Sequence, residues 1–266
     1  MPILNPNDEE FTGELAANPP VALRTALEAA RSSHYDAAQN AFDYTGFGRS
    51  PEYESLRAAA EALAGFDSGT LGIGQRLSFW INVYNALVLH AVIARGVTDS
   101  VRSVGNFYGE SKYDVGGHIF SLDDIEHGML RANEPVKRGA RRPMPEDDPR
   151  QRIAPILFDE RVHFAMYSAC RSSPWLAVFT EAGLDAQLEG ATRRYLGAHL
   201  RLAPGCTALH VPKLFDWYEA DFGGLEGVRS FVIARLERDE DVDAVDRKGG
   251  HVAIKYLEYD WSLNAR

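Results

Sequence analysis

Several side chains that could move protons or bind charge cluster between Asp123 and Arg131. Asp123, Glu126, His127 and Arg131 lie three and four positions apart, so on a helix they share one broad side. Asp123, one turn before His127, could orient its imidazole, and so could the adjacent Glu126. An imidazole held by a carboxylate is how a general base is built. The ordinary reading of the same residues is a surface helix with ion pairs. A second group stands at Tyr167-Ser-Ala-Cys-Arg-Ser-Ser-Pro174. A nucleophile at a strand-to-turn junction is exposed and lies near free backbone N–H groups that could hold an oxyanion. Arg171 beside Cys170 favours the thiolate. Ser168, two residues earlier, shares the face of Cys170 on an extended chain. Taken alone, Cys170 reads as a small buried apolar residue. His118, Glu126, His127 and His163 could converge on a metal. Their spacing matches neither His-Glu-x-x-His nor a cysteine–histidine zinc pattern, so no metal and no other cofactor is expected.

The elements that must position these residues are organised around Arg76–Gly96. No charged residue occurs between Leu77 and Ala94 if His90 is neutral, and the apolar positions run all round the helix. Such a helix is buried on most sides. Asn82 and Asn85 project from one side of it. Two buried amides must find partners, either in loops crossing the helix or by lining a polar site. Before this helix, residues 8–45 read as helical, and Ser50-Pro51 starts a second helix with Leu56, Ala59, Ala60 and Leu63 on its apolar stripe. Residues 1–74 thus form a helical layer, and residues 75–266 the larger part, the two packing as one unit. Gly116-Gly117 separates two short β-prone runs, which predicts a hairpin over 112–121. Ser121 with Asp124 is a capping box for a helix over 122–131. Residues 132–150 read as an exposed loop containing the basic cluster Lys137–Arg142. Then follow a strand over 161–168, a helix over 185–196, a strand at 208–211, a short helix from Pro212 to Tyr218, an amphipathic helix over 225–236 and a strand over 251–257. Helices dominate and strands come late in hairpin-like groups. The fold class is α+β: a helix-rich fold with a buried central helix packed against a small, mainly antiparallel sheet.

The net charge of −10 argues against nucleic-acid binding through a basic surface. No Walker A loop and no Gly-x-Gly-x-x-Gly opening a helix is present. The central helix reads as too short and too polar for a good membrane span, so no membrane partner is expected. The N-terminus lacks a basic region followed by an apolar one, and Cys170 and Cys206 make no disulfide framework. A cytoplasmic protein with reduced thiols is the expectation.

Taken together, the motifs are familiar. They are Phe79-Trp-Ile-Asn-Val-Tyr-Asn-Ala86, Phe120-Ser-Leu-Asp-Asp-Ile-Glu-His-Gly-Met-Leu-Arg131, His163-Phe-Ala-Met-Tyr-Ser-Ala-Cys-Arg-Ser-Ser-Pro174, Phe215-Asp-Trp-Tyr-Glu-Ala-Asp-Phe222 and Tyr259-Asp-Trp-Ser-Leu-Asn264. In this order they resemble the DUF547 family, over roughly residues 75–264. The resemblance implies an α+β domain with at most distant kinship to papain-like or transglutaminase-like thiol enzymes. The family pattern usually carries a cysteine where this chain has Ser168, and many bacterial members carry a second where it has Ser173. Asn82, Asn85, Glu126, His127 and Arg131 match the pattern as they stand. The expectation is a hydrolase or acyl-transfer enzyme acting on an amide or peptide-like small molecule. Cys170 or Ser168 would be the nucleophile, His127 the base, and Glu126 or Asp123 its orienter. Asn82, Asn85 and His163 would position substrate, and Arg131 or Arg171 would bind a carboxylate. The alternatives are a catalytically inactive binding or scaffold module and, after it, a metal-dependent hydrolase.

Overall fold

The computed structural model describes residues 2–6, 14–135, 139–155, 158–236, 239–247 and 252–266. Helix α1 (Pro19–His34) begins where the Asn18 side chain accepts from the Val21 N–H, and α2 (Pro51–Ala62) begins on the matching Ser50 cap. Leu23, Leu27 and Ala30 of α1 and Leu56, Ala59 and Ala60 of α2 are buried. The helical expectation over 8–45 holds only in part. Its first residues lie outside the described ones, and α1 stops at His34. Asp36 accepts from the Ala38 and Gln39 N–H groups, and Asn40 takes φ +51°. That side-chain turn converts Tyr35–Phe42 into a small hairpin.

Both helices pack on α3 (Ile73–Ala94), the spine of the molecule. Every residue from Leu77 to Val92 is buried. Gly96, at φ +64°, ends the helix, and the Val97 N–H closes back on the Val92 carbonyl. By length and composition Gly74–Ala94 could cross a membrane, contrary to the reading of it as too short, but most of it is covered by protein. On its other flank lies the antiparallel hairpin β1 (Lys112–Val115) and β2 (His118–Ser121). Tyr113 donates to the Leu87 carbonyl at 3.0 Å, and Phe120 packs on Trp80.

After the hairpin, the capping box is present as reciprocal bonds: Ser121 N–H to Asp124 and Asp124 N–H to Ser121 Oγ. The helix it starts is not the regular α-helix expected. Asp124–Leu130 is π-helical, and the Arg131 N–H reaches the Glu126 carbonyl. The basic cluster at 137–142 lies partly outside the described residues. The strand expected over 161–168 is instead a 3-10 turn at Glu160–Phe164 followed by extended chain. Asp159 caps that turn by accepting from the Arg161 N–H, and Val162–Tyr167 are all buried, so no one-sided alternation exists for a strand to follow.

A second core gathers around Phe164, Tyr195, Phe215, Phe222 and Phe231. It is built by α4 (Leu184–His199), α5 (Leu225–Ile233) and a sheet ordered β3 (Arg201–Leu202), β4 (Ala208–Val211), β5 (Ala253–Tyr256). The β3/β4 pair is antiparallel and the β4/β5 pair parallel. The C-terminal segment then returns to the first core through bridges Ser100–Ser262, Cys170–Leu263 and Phe42–Ala265. The architecture is α+β: a buried helix, an antiparallel hairpin against it, and a small sheet in the second core.

Candidate active site

The π-helix sits between the two cores and turns Glu126 and His127 into a cleft of about 470 Å³. Widened helical turns of this kind redirect side chains, and they are frequent at functional sites. Tyr84 from α3, Tyr108, and Trp217, Tyr218, Tyr259 and Trp261 from the C-terminal third supply aromatic walls. Asp123, His163 and Ser168 complete the candidate residues that line it.

His127 is largely buried, and its Nδ1 lies 3.0 Å from Nη1 of Arg131. A guanidinium can only donate. The neutral imidazole therefore accepts at Nδ1 and carries its proton on Nε2. In this tautomer His127 is a hydrogen-bond donor, not the base expected from the sequence. Burial lowers its proton affinity and Arg131 adds to that, against the pull of Glu126. Arg131 is itself fixed from below. Its Nε and Nη2 donate to Asp221 at 2.6 and 2.8 Å, and Nε2 of His163 donates to the same carboxylate at 2.8 Å. Burial raises Asp221, but the bonds from His163 and Arg131 outweigh it and hold its pKa down at about 2. His163 is kept neutral chiefly by burial, its ring stacked on Tyr218 at 4.1 Å. Its buried Nδ1 has no hydrogen-bond partner among the described residues.

The two carboxylates of the cleft differ. Burial works against an ionised Glu126, but the charge His127 carries when protonated, 4.0 Å away, and the hydrogen bonds donated by the hydroxyls of Tyr218 and Tyr84 outweigh it and keep its pKa below the ordinary value. Asp123 makes no hydrogen bond or ion pair with the described residues. Burial, then the nearby charges of Glu126 and Asp124, push it up to about 6. A carboxyl poised there can exchange a proton near neutral pH.

The remaining candidates separate. Ser168 lies on the cleft wall with its Oγ 2.7 Å from the Tyr259 hydroxyl. Cys170 is fully buried outside the lining. Burial pushes its thiol up to about 12, and Sγ donates to the Ser168 carbonyl. Burial works against the thiolate expected from the neighbouring Arg171, which is solvent-exposed while the sulfur is enclosed. The turn itself, with Ala169 at φ +57°, offers no free N–H at 168, 171, 172 or 173. Those four are bonded to Ser173 Oγ and to the carbonyls of Ser262, Asp260 and Cys170. Asn82 exchanges two bonds with the backbone of Phe179. Asn85 donates to Ala165 and Ala177 and accepts from the Tyr167 N–H. Neither lines the cleft, so both amides act as latches on the chain that carries Ser168. Arg131, committed to Asp221 and His127, has no donor turned to a substrate carboxylate in the cleft. Among the described residues no three His, Cys, Asp or Glu side chains are grouped to hold a metal ion.

Asp221, Tyr218, Trp217, Tyr259 and Trp261 were given no role from the sequence. Their signal is the aromatic–acidic pairing of two motifs, Phe215–Phe222 and Tyr259–Asn264, which the fold brings together on one wall.

Residues 70–196 match the family model DUF547, described as a protein of unknown function. The matched stretch holds Asp123, Glu126, His127, His163 and Ser168. The aromatic wall from 217 to 261 and Asp221 lie beyond the matched stretch. No curated protein and no solved structure matches the chain at a significant level.

Proposed function

We propose that this DUF547-domain chain is a hydrolase or acyl-transfer enzyme for an amide or peptide-like small molecule, with Ser168 rather than Cys170 as nucleophile. The observation that carries this reading is the sharing of one aromatic cleft by Ser168, His127 and Asp123. Asp123 takes the proton of the Ser168 hydroxyl as Oγ attacks the substrate carbonyl. His127 donates from Nε2 to the oxyanion that forms. The protonated Asp123 then gives its proton to the leaving amine as the C–N bond breaks. Water or a second amine, deprotonated by the same carboxylate, releases the acyl group from Ser168. Arg131 positions His127 and fixes its tautomer.

A panel of fluorogenic amides and esters tests this in the wild type, Ser168→Ala, Asp123→Asn and Cys170→Ala. Turnover should rise with pH through about 6, where Asp123 ionises. Loss of the base should lower kcat by about 10²–10⁴-fold. Ser168→Ala should abolish turnover and Cys170→Ala should leave it intact. Turnover that survives Ser168→Ala but not Cys170→Ala would overturn the assignment.

One observation favours a second reading. Ser168 Oγ is bonded to Tyr259, not to an imidazole. A binding module would use the same cleft, hold a ligand and turn over nothing.

A further inference from the structure

The charge of the cleft wall narrows what it can hold. Asp123, Glu126 and Asp216 line it, and among the described residues no lysine or arginine does. The nearby cations already have partners, Arg102 over the Trp261 ring and Arg131 over that of Tyr218. Arg131 serves Asp221 and His127, and Lys213 lies 2.8 Å from Asp216 at its exposed edge. The two histidines of the wall are neutral near pH 7, because burial lowers both. A carboxylate or phosphate entering here would meet anions and the negative faces of aromatic rings.

The aromatic wall points the same way. Trp217, Tyr259 and Trp261 form one cluster, with ring centroids 4.6 to 5.3 Å apart. The Arg102 guanidinium already rests 3.9 Å from the Trp261 centroid, so this cluster holds a cation through the ring face. Asp216 precedes Trp217 directly and lines the same cleft. Only one side of Asp216 is taken by Lys213, at a partly exposed position where such a pair is weak. Asp123, without a hydrogen-bond or ion-pair partner among the described residues, adds a second anion to the same cleft.

We infer that the cleft takes a substrate bearing an organic cation, an alkylammonium group beside an apolar body, seated against Trp217, Tyr259 and Trp261 with Asp216 as its counter-ion. This rests on the reading of the cleft as the substrate site. It specifies that reading: the amide substrate carries a free amino group, and its N-acylated and carboxylate analogues are excluded.

The test is a matched pair of probes, phenethylamine and N-acetylphenethylamine, titrated at pH 7.5 and low salt. Trp217 and Trp261 in the wall report binding through their fluorescence. The amine should bind about tenfold more tightly than its acetylated twin. That preference should shrink as salt is raised and in Asp216→Asn, whose side chain is partly exposed. Equal binding of the two probes, preference for the acetylated one, or no binding of the amine overturns the inference. Because binding is read without turnover, these outcomes are separate from those of the hydrolysis panel. A cleft that prefers the amine but hydrolyses nothing overturns the enzymatic reading alone.

Discussion

Asp123 and Glu126 stand one turn apart in one cleft, yet their surroundings push their proton affinities in opposite directions. Asp123 is therefore the residue at which the proposed function and stability conflict. Its carboxyl moves from an ordinary 3.8 up to about 6 on folding. Between those values the folded chain binds more protons than the unfolded one. This group thus makes stability fall as pH rises from about 4 to about 6. Asp123→Asn removes the ionisation. The variant should match the wild type near pH 4 and exceed it at pH 7 by about 1–2 kcal/mol, less than the full shift because the cleft is partly solvated. Urea denaturation at the two pH values measures this, and a variant less stable than wild type at pH 7 would contradict it. A gain in stability with a loss of turnover is the pattern expected of a strained functional group.

At the scale of elements, α3 holds the chain that carries Ser168 through two amides. Asn82→Leu should strand the Phe179 N–H and carbonyl, and Asn85→Leu the Tyr167 N–H and Ala165 carbonyl. Each variant should lose about 1–3 kcal/mol, read as a lower urea midpoint at unchanged m-value. Unchanged midpoints in both would remove the latching role. The β1/β2 hairpin allows a sharper contrast. Gly116 and Gly117 both have positive φ, but a Cβ on Gly116 would lie 2.7 Å from the Phe66 carbonyl oxygen, whereas one on Gly117 meets nothing. Gly116→Ala should therefore destabilise more than Gly117→Ala, by at least about 1 kcal/mol, since overpacking adds to the shared backbone strain. Equal losses would mean that the hairpin tip is free to shift. These devices are also what is legible in the sequence. Gly116-Gly117, the Ser121–Asp124 box, Ser50-Pro51 and Gly96 each act within a few residues, so local pattern suffices to find them. The π-helical register of 124–130 is not legible, because an α-helix over the same residues would carry the same cap and nearly the same apolar face. Nor is the capped 3-10 turn at 160–164, where a segment buried between two cores loses the alternation that distinguishes a strand. The site divides likewise. His127 and Ser168 are visible through their residue types, whereas the Arg131–Asp221–His163 network joins residues 90 and 58 positions apart and depends on the tertiary fold.

Across the whole molecule, the cleft is a seam between two cores, and the C-terminal segment stitches it. Asn264 accepts from the hydroxyls of Tyr44 and Tyr167 and donates to the Asn40 carbonyl, each at 2.8 Å. Asn264→Ala would leave the Asn40 carbonyl and one tyrosine hydroxyl buried and short of a partner, the two hydroxyls lying 2.6 Å apart and able to bond each other. It should lower stability by about 2–3 kcal/mol in urea titrations, a loss that surface substitutions do not approach. The same segment carries Tyr259 and Trp261 into the cleft wall.

That stitching has a kinetic consequence. The bond between Tyr44 and Asn264 spans 220 residues, and the one between Ser168 and Tyr259 spans 91. Closing such loops is entropically uphill until both cores exist to receive the segment, so these contacts belong to the end of folding. The helical layer can collapse early and look nearly native by circular dichroism while the seam is still open. In stopped-flow refolding, far-UV signal should recover before the fluorescence of Trp217 and Trp261 and before binding of phenethylamine. Simultaneous recovery of all three would show that the seam closes with the cores. Otherwise the molecule passes through an interval in which it is folded by every helical measure while its cleft is still unformed.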